Sequence, residues 1–333
     1  MRNKLITVNQ RPYGRIKSAD LALLEVNLDE LTSGMVRIKV LYLSVEPAMR
    51  GWMINRADYM PPLALGDMLH GFAVGKVVES KHLDFTLGQI VTGNLGAQEL
   101  ADIDPDKQLL QVFEHQDVNP SLAMGLLGIT GLTAYFGINK IANLKRGETF
   151  VVSAAAGAVG SVAGQLALLA GCRVIGIVGS DEKVDWLQQE LGFNGAVNYK
   201  SDDVAEQLKD LCPDGIDVYF DNVGAEVLDV CLSQIKDAAR IVLCGGIANY
   251  NATKKPAGPA NYFALVHRRA LMQGYIVLDY VDEFPQAISW MKQHYLQGNL
   301  SNREYKLTGI EKLPQGLAAI FDGTNLGKVL IEM

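Results

Sequence analysis

Residues 149–167 have the sequence Thr149-Phe-Val-Val-Ser-Ala-Ala-Ala-Gly-Ala-Val-Gly-Ser-Val-Ala-Gly-Gln-Leu-Ala167. The apolar start predicts a buried strand, the small residues after it predict a tight turn, and the remainder predicts a helix. Proteins hold the pyrophosphate of a dinucleotide in this geometry. Turns of small residues also join strands to helices for packing alone. The strand and the helix that flank this turn favour the binding interpretation.

The turn has Ala155, Gly157 and Gly160 where the full fingerprint has three glycines. Gly157 would let the backbone approach the phosphates, and Gly160 would let the helix pack close to the sheet. The helix would begin at Ala158 and Val159, where unpaired N–H groups and the positive end of the helix dipole would face the anion.

The next predicted strand runs from Arg173 and ends at Gly179 and Ser180, with Lys183 three residues later. An NAD-preferring site usually ends this strand with an acid that binds the ribose hydroxyls. A hydroxyl and an ammonium suit an additional phosphate instead, which favours NADPH over NADH. Ser180 or Asp181 would also cap the helix predicted over 182–191, and this role is compatible with phosphate binding. Asp181 leaves a second alternative open, as a displaced ribose-binding acid.

Composition limits the classes of protein to which the chain can belong. Its 333 residues suggest about two domains, and 49% of them are hydrophobic, enough for a large core. A net charge of −7 without a basic stripe argues against nucleic acid as a partner. The absence of a signal-like or membrane-spanning apolar run predicts a cytoplasmic protein with no membrane partner. The cysteines are too widely spaced for a zinc ribbon or a disulfide framework; they are Cys172, Cys212, Cys231 and Cys244.

The pattern of apolar segments changes along the chain. Residues before about 120 are predicted to be mostly β, because short apolar runs alternate with turn residues. From about 145, strands alternate with helices, which predicts an α/β fold with a doubly wound parallel sheet of the Rossmann type. The predicted strands are Phe150–Ser153, Arg173–Val178, Ala196–Asn198, Ile216–Asp221, Ala239–Cys244 and Leu271–Val277. The segment Tyr305–Met333 would return to the first domain with a short helix and a terminal strand.

Seven short strings are spread over nearly the whole chain. They are Leu43-Ser-Val-Glu-Pro-Ala-Met-Arg-Gly51, Gly128-Ile-Thr-Gly-Leu-Thr-Ala-Tyr-Phe-Gly137, Ser153-Ala-Ala-Ala-Gly-Ala-Val-Gly-Ser161, Gly179-Ser-Asp-Glu-Lys183, Phe220-Asp-Asn-Val-Gly224, Cys244-Gly-Gly-Ile-Ala-Asn-Tyr-Asn251 and Asn325-Leu-Gly-Lys328. Together they closely resemble the zinc-independent branch of the medium-chain dehydrogenase/reductase superfamily. That branch contains prostaglandin reductase (leukotriene 12-hydroxydehydrogenase), plant NADPH-dependent alkenal double-bond reductases and bacterial curcumin reductase.

The resemblance implies a β-rich GroES-like domain over 1–122 and 303–333 and a Rossmann domain over 123–302. Zinc-dependent members carry a Gly-His-Glu turn and a cysteine in the first domain, whereas here Gly71 and Phe72 follow His70, and no cysteine precedes Cys172. No metal is therefore expected. Without zinc, hydrogen bonds must stabilise an oxyanion, which suits reduction of a carbon–carbon double bond conjugated to a carbonyl.

For the reaction, the resemblance implies that NADPH delivers hydride to the β-carbon of a small apolar enal or enone. The family's catalytic tyrosine corresponds to Tyr250, whose phenol would donate a hydrogen bond to the enolate oxygen together with the cofactor ribose. Tyr250 would alternatively only pack its loop or border the substrate. The source of the proton for the α-carbon stays open.

The family also implies contacts with the cofactor, NADP(H). Lys183 and Tyr199 would lie at the adenosine 2′-phosphate, although Tyr199 is alternatively an ordinary aromatic at a strand end. The residues expected near the nicotinamide riboside are Asn222, Cys244, Gly245, Ile247, Tyr275 and Val277, with Asn325 contributed by the other domain. Asn222 is alternatively only a turn residue.

Two positions depart from the family pattern. Ala48 stands where many relatives have a tyrosine facing the nicotinamide, and His267 aligns with a tyrosine near the pocket of prostaglandin reductase. His267 is alternatively a surface helix residue. An apolar substrate pocket would also be lined by Met49, Met53, Tyr59 and Met60, and core packing explains methionines equally well.

Three functions remain from the sequence: an alkenal/one reductase, a quinone reductase of the same superfamily, and a non-catalytic NADPH-binding protein. Relatives are commonly homodimers joined through edge strands of the cofactor domain. The apolar run Ala270–Leu278 is predicted to be such an edge.

Overall fold

The computed structural model describes residues 1–55, 62–115, 117–201 and 203–333. The strands of these residues are β1 (Arg2–Val8), β2 (Leu21–Asn27), β3 (Val36–Ser44), β4 (Phe72–Ser80), β5 (Ile90–Asn94), β6 (Leu100–Ile103), β7 (Leu110–Val112), β8 (Thr149–Ser153), β9 (Arg173–Val178), β10 (Gly195–Asn198), β11 (Ile216–Asp221), β12 (Ile235–Leu243), β13 (Leu271–Gly274), β14 (Glu304–Thr308) and β15 (Lys328–Glu332).

The α-helices are α1 (Ala48–Trp52), α2 (Ile129–Phe136), α3 (Ala158–Leu169), α4 (Asp181–Asp185), α5 (Val204–Leu211), α6 (Ala225–Ser233), α7 (Ile247–Tyr250), α8 (Ala264–His267), α9 (Phe284–Leu296) and α10 (Leu313–Asp322). The π-helical segments Gly137–Ala142 and Trp186–Glu190 continue α2 and α4. The 3₁₀ helices are Ser18–Asp20, Pro120–Met124, Ala260–Phe263, Val277–Glu283 and Ile310–Lys312.

The chain forms two compact units. The first comprises Met1–Gly125 and Glu304–Met333, and the second comprises Leu126–Arg303. These limits lie within a few residues of the predicted domain boundaries. No helix among the described residues is long and apolar enough to cross a membrane.

The first unit is built on β-structure. In the part of it that is described, one sheet has the strand order β14-β15-β3-β4-β5-β7, with β6 also paired to β3, and β1 pairs with β2. Its core contains fully buried Ile38, Val40 and Leu43 from β3. The terminal strand β15 pairs antiparallel with β3, Leu330 opposite Ser44. The predicted return of the C-terminal segment to this domain is therefore present.

The second unit carries a parallel sheet in the order β10-β9-β8-β11-β12-β13. Its strands read as continuous apolar runs because helices cover both faces, and Val151, Ile175 and Ile241 are buried. The order reverses between β8 and β11, so the crevice at the carboxyl ends of these two strands is where ligands bind in sheets of this type. The predicted doubly wound α/β fold is confirmed.

Some element boundaries differ from the sequence prediction. Strand β13 ends at Gly274 instead of Val277, and the hydroxyl of the next residue, Tyr275, donates a hydrogen bond to the Thr133 carbonyl, 2.6 Å away. Strand β12 begins earlier than predicted, at Ile235. The helix predicted over 182–191 consists of α4 and the π-helical segment after it.

Candidate functional site

The turn between β8 and α3 is held by its own backbone. The Ala155 N–H donates to the Ile177 carbonyl of β9 at 3.2 Å, and the Gly157 N–H donates to the Ala154 carbonyl at 2.9 Å. No side chain caps the start of α3. The N–H groups of its first turn, from Ala158 and Val159 onward, therefore rely on a partner outside the helix, and the helix dipole favours an anion there.

Gly160 allows α3 to lie directly on this turn. A Cβ atom at Gly160 would be 2.4 Å from the Ala154 carbonyl oxygen, whereas one at Gly157 would be 3.1 Å from the same atom. The first distance is far below van der Waals contact, so a side chain at Gly160 would push the helix away. Gly160 therefore lets α3 lie on the turn, and its role in dinucleotide binding stays a prediction.

A cationic group follows β9 and β10, and we call it the Lys183 cluster; it consists of Gly179, Ser180, Lys183, Tyr199 and Lys200. A Cβ at Gly179 would lie 3.0 Å from the Tyr199 ring, so ring and backbone are in contact. The Lys200 ammonium is 5.9 Å from the centroid of that ring. Burial lowers the pKa of Lys183, and the positive charge of Lys200 lowers it further. The positive charges of Lys183 and Lys200 repel each other, and they lie beside the small residues that follow β9. This arrangement suits an anion of high charge.

The two acceptors at the start of α4 are engaged within the protein. The Ser180 side chain caps α4 by accepting from the Lys183 N–H at 3.4 Å. The Asp181 carboxylate accepts from the Asn198 amide at 2.7 Å. Capping by Ser180 is therefore as predicted. The Asn198 contact gives Asp181 a partner in β10, which accounts for an acid at this position without a ribose.

The Asp221 side chain joins the ends of two central strands, β8 and β11. Its side-chain Oδ1 accepts hydrogen bonds from the hydroxyl groups of Tyr219 (2.7 Å) and Ser153 (3.2 Å) and from the N–H groups of Val223 (3.0 Å) and Gly224 (2.9 Å). The residue is 1% exposed. Burial raises the pKa of Tyr219 well above its ordinary value, so its phenol stays protonated and donates.

Asn222 lies directly after this carboxylate. Its side-chain amide donates to the Ser153 carbonyl at 2.8 Å, and its N–H donates to the Ser153 hydroxyl at 2.9 Å. The N–H groups of Cys244 and Gly245 both donate to the Asp221 carbonyl, at 2.9 and 3.0 Å. The predicted site residues after β8, β11 and β12 are thereby brought to one edge of the sheet.

Tyr250 is the last residue of α7 and is 39% exposed. Helix α7 is attached to the loop after β11 by two backbone hydrogen bonds. The Ile247 N–H donates to the Asn222 carbonyl and the Ala248 N–H donates to the Val223 carbonyl, both at 3.2 Å. The candidate catalytic phenol is therefore on the same edge as Asn222.

Tyr275 and Cys244 are near neighbours. Burial raises the pKa of Cys244 to about 12 and also raises that of Tyr275. The Tyr275 hydroxyl donates to the Thr133 carbonyl, which attaches the ring to α2. Val277 begins the 3₁₀ helix Val277–Glu283 after it. A contact of Tyr275 or Val277 with the nicotinamide stays a prediction.

Other predicted residues lie elsewhere. Asn325 is buried in the first unit, where its amide donates to the Gly327 carbonyl at 2.9 Å, and a cofactor contact for it stays a prediction. His267 is an exposed residue at the end of α8, with its ring 5.1 Å from that of Phe263. Ala48, Met49 and Met53 lie in or beside α1, and both methionines are fully buried. Tyr59 and Met60 fall outside the described residues.

Three residues that matter to this edge were not predicted from the sequence as site residues, namely Ser153, Lys200 and Asp221. Ser153 and Asp221 end predicted strands at the switch point, which is the signal that would have identified them. Lys200 follows Tyr199 directly. Within the described ranges, no group of three or more His, Cys, Asp or Glu side chains could hold a metal ion.

Two family models match the chain. Residues 4–112 match the N-terminal domain of oxidoreductase, and residues 158–293 match the model described as zinc-binding dehydrogenase. The second match contains the Lys183 cluster, Asp221 and Tyr250.

The following relatives match the chain over nearly its full length. The NADPH-dependent curcumin reductase of Escherichia coli (strain K12) is 37% identical, with 100% of this chain and 97% of that protein covered. The NADP(+)-dependent 2-alkenal reductase of Nicotiana tabacum is 37% identical, with 99% and 97% covered. The crystal structure of CurA from Vibrio vulnificus in complex with NADPH superposes with a TM-score of 0.94 at 36% identity, and 99% of each chain is covered.

Proposed function

The chain belongs to the medium-chain dehydrogenase/reductase family, in the branch of the curcumin, alkenal and prostaglandin reductases, and we propose that it reduces the carbon–carbon double bond of α,β-unsaturated aldehydes and ketones with NADPH. The observation that carries the cofactor assignment is the Lys183 cluster. Ser180 follows β9 where an NAD-preferring site usually has a free acid, and Lys183 in α4 and Lys200 after β10 add two positive charges.

The residues of the second unit fit a dinucleotide with a 2′-phosphate. Gly160 lets α3 begin directly on the turn, and no side chain caps this helix. The N–H groups of its first residues would therefore bind the pyrophosphate. Lys183 and Lys200 would bind the 2′-phosphate, with Tyr199 beside it. Asn222, Gly245 and Ile247 would contact the nicotinamide half, because their loops meet at the carboxyl ends of β8 and β11. When bound, NADPH supplies the hydride.

Tyr250 is proposed as the catalytic residue. Hydride addition to the β-carbon leaves negative charge on the carbonyl oxygen, and a neutral phenol donates a hydrogen bond to this enolate oxygen without a change in its own charge. A donor aimed at the developing charge acts mainly in the transition state, so its removal lowers kcat more than substrate affinity. The substrate is small and apolar.

The test is the loss of NADPH absorbance with a medium-chain 2-alkenal, an aromatic enone and a naphthoquinone, each repeated with NADH. We expect turnover of the alkenal or the enone to the saturated carbonyl, with NADPH preferred. Turnover of the quinone alone would replace this proposal by a quinone reductase. Binding of NADPH without turnover of any of the three would favour the non-catalytic alternative.

The substitution Tyr250→Phe tests the mechanism with the loss of one hydroxyl. We expect kcat to fall by about 10²–10³-fold, the effect of removing one oxyanion donor, while the Kd for NADPH stays unchanged. Tyr262→Phe is the matched control, because Tyr262 is also exposed, at 58%, but lies in the 3₁₀ helix before α8. Equal activity of the two variants would remove Tyr250 from the mechanism.

A further inference from the structure

The most heavily hydrogen-bonded side chain at the switch point has no role in the function proposed above. We infer that Asp221 is a positioning residue, which aligns Asn222 and the Tyr250 helix α7 with the reacting half of the bound cofactor. The inference rests on the proposed function, since it assigns the part of the protein that orients the nicotinamide end. Asp221 itself is 1% exposed, so we assign it a role through the residues that it holds.

One carboxylate oxygen of Asp221 accepts from four donors. Two hydroxyl groups and two backbone N–H groups converge on Asp221 Oδ1, all within 3.2 Å. An ionised carboxylate is the best acceptor for four donors, because hydrogen bonds to an ionised acceptor are roughly twice as strong as neutral ones. An amide oxygen of the same shape would hold the same donors more weakly.

These donors also fix the backbone around Asn222. The Ser153 hydroxyl that donates to Asp221 also accepts from the Asn222 N–H. The Val223 and Gly224 N–H groups fix the loop after β11, where Gly224 has a φ of +73° that favours glycine. Asp221 thus determines the path of the backbone on both sides of Asn222.

The loop after β11 is also bonded to the helix of the candidate catalytic residue, Tyr250. The carbonyl groups of Asn222 and Val223 accept the N–H groups of Ile247 and Ala248, the first residues of α7. The Asp221 carbonyl accepts from Cys244 and Gly245, which precede α7. Every described backbone attachment of α7 to the end of β11 therefore passes through Asp221 or the two residues after it.

The Lys183 cluster belongs to other strand ends, after β9 and β10. This separation gives the test, because 2′,5′-ADP carries only the adenosine half of the cofactor with its 2′-phosphate. In Asp221→Asn we expect an unchanged Kd for 2′,5′-ADP, a raised Kd for NADPH, and a kcat lowered on the order of 10²-fold, the effect of a displacement of about 1 Å at a reacting centre. Ser153→Ala removes one of the four donors and should shift the same two quantities in the same direction, by less.

Asp217→Asn is the matched control. Asp217 lies on the same strand and also joins it to β8, through the Thr149 N–H at 2.8 Å, and it pairs with Lys236 at 2.9 Å. Its position at the start of β11 is remote from the carboxyl edge, so we expect its kcat to equal that of the wild type.

Two results would overturn the inference. One is an Asp221→Asn enzyme with the kcat of the Asp217→Asn control; the other is a loss of 2′,5′-ADP affinity in Asp221→Asn parallel to the loss of NADPH affinity, which would indicate general damage to the domain. If Asp221→Asn does not fold, the same comparison is made with Ser153→Ala, which keeps the carboxylate. A wild-type protein that binds neither nucleotide would overturn the proposed function, and this inference with it.

Discussion

Lys183 is the residue whose replacement separates the two nicotinamide dinucleotides. We expect Lys183→Ala to raise the Kd for NADPH by roughly 10- to 100-fold, because a hydrogen bond to a charged group contributes about 1.5–3 kcal/mol. The Kd for NADH should change little, because NADH has no 2′-phosphate. Fluorescence titration of both nucleotides measures the difference. Lys209→Ala, an exposed lysine on α5, is the control and should affect neither.

The same ammonium gives NADPH binding a pH dependence. Burial and the charge of Lys200 lower the pKa of Lys183, and only the nearby Glu182 opposes this shift. The charged form binds the phosphate, so affinity is complete below this pKa and falls as the pH rises through it. We expect the Kd for NADPH to increase at a pH below the ordinary lysine pKa of about 10.4, and the Kd for NADH to stay constant. Lys183→Arg should remove the increase, because arginine stays charged over this range. A parallel increase for NADH would contradict the assignment.

At the scale of the element, the start of α3 depends on Gly160. A methyl group there would be 2.4 Å from the Ala154 carbonyl oxygen, so Gly160→Ala must displace the helix from the turn. We expect the free energy of unfolding to fall by about 1–3 kcal/mol, and the Kd for NADPH to rise as the N–H groups move. Gly258→Ala is the control, because a Cβ at Gly258 would meet no atom within 4 Å. Thermal unfolding and nucleotide titration of the two variants test this; equal stability would contradict the steric argument.

The elements that were predicted well are those whose signal is local. Strands β8, β9 and β11 are apolar runs between turn residues, and their buried positions follow from the sequence alone. The end of β13 at Gly274 was not predicted, and the residue after it, Tyr275, bonds to Thr133, 142 positions away in the chain. The hydrogen bonds around Asp221 were not predicted either, because Ser153 is 68 positions away in the chain. Contacts between distant residues leave no periodic pattern in the sequence.

At the scale of the whole chain, the order of the segments determines which unit contains the proposed cofactor residues. The β-rich unit is completed by the last thirty residues, which supply β14, α10 and β15. The Rossmann unit is a single continuous stretch, Leu126–Arg303, and contains every proposed cofactor residue except Asn325. Contacts made with 2′,5′-ADP would therefore report on this unit alone, which is why that ligand separates adenosine binding from the positioning of the nicotinamide.

Among the described residues of the second unit, β13 is the last strand in its sheet order. Leu271 at its start is 52% exposed, and Ile276, two residues after its end, is 43% exposed. An exposed apolar edge strand presents unpaired backbone groups to another chain. We propose that a second copy of the chain pairs with it, since a two-fold axis would join two identical edges.

Lysine substitution at this edge tests the proposed homodimer. In Leu271→Lys/Ile276→Lys, pairing would bury two charges without partners, which is strongly unfavourable. We expect the wild-type protein to sediment as a dimer of 36.2 kDa chains and the double variant as a monomer that still binds 2′,5′-ADP. Leu83→Lys/Leu87→Lys, at residues 99% and 69% exposed in the first unit, should remain dimeric. A wild-type protein that is a monomer would show that no second copy pairs with β13. A double variant that stays dimeric would show that the interface lies elsewhere on the chain.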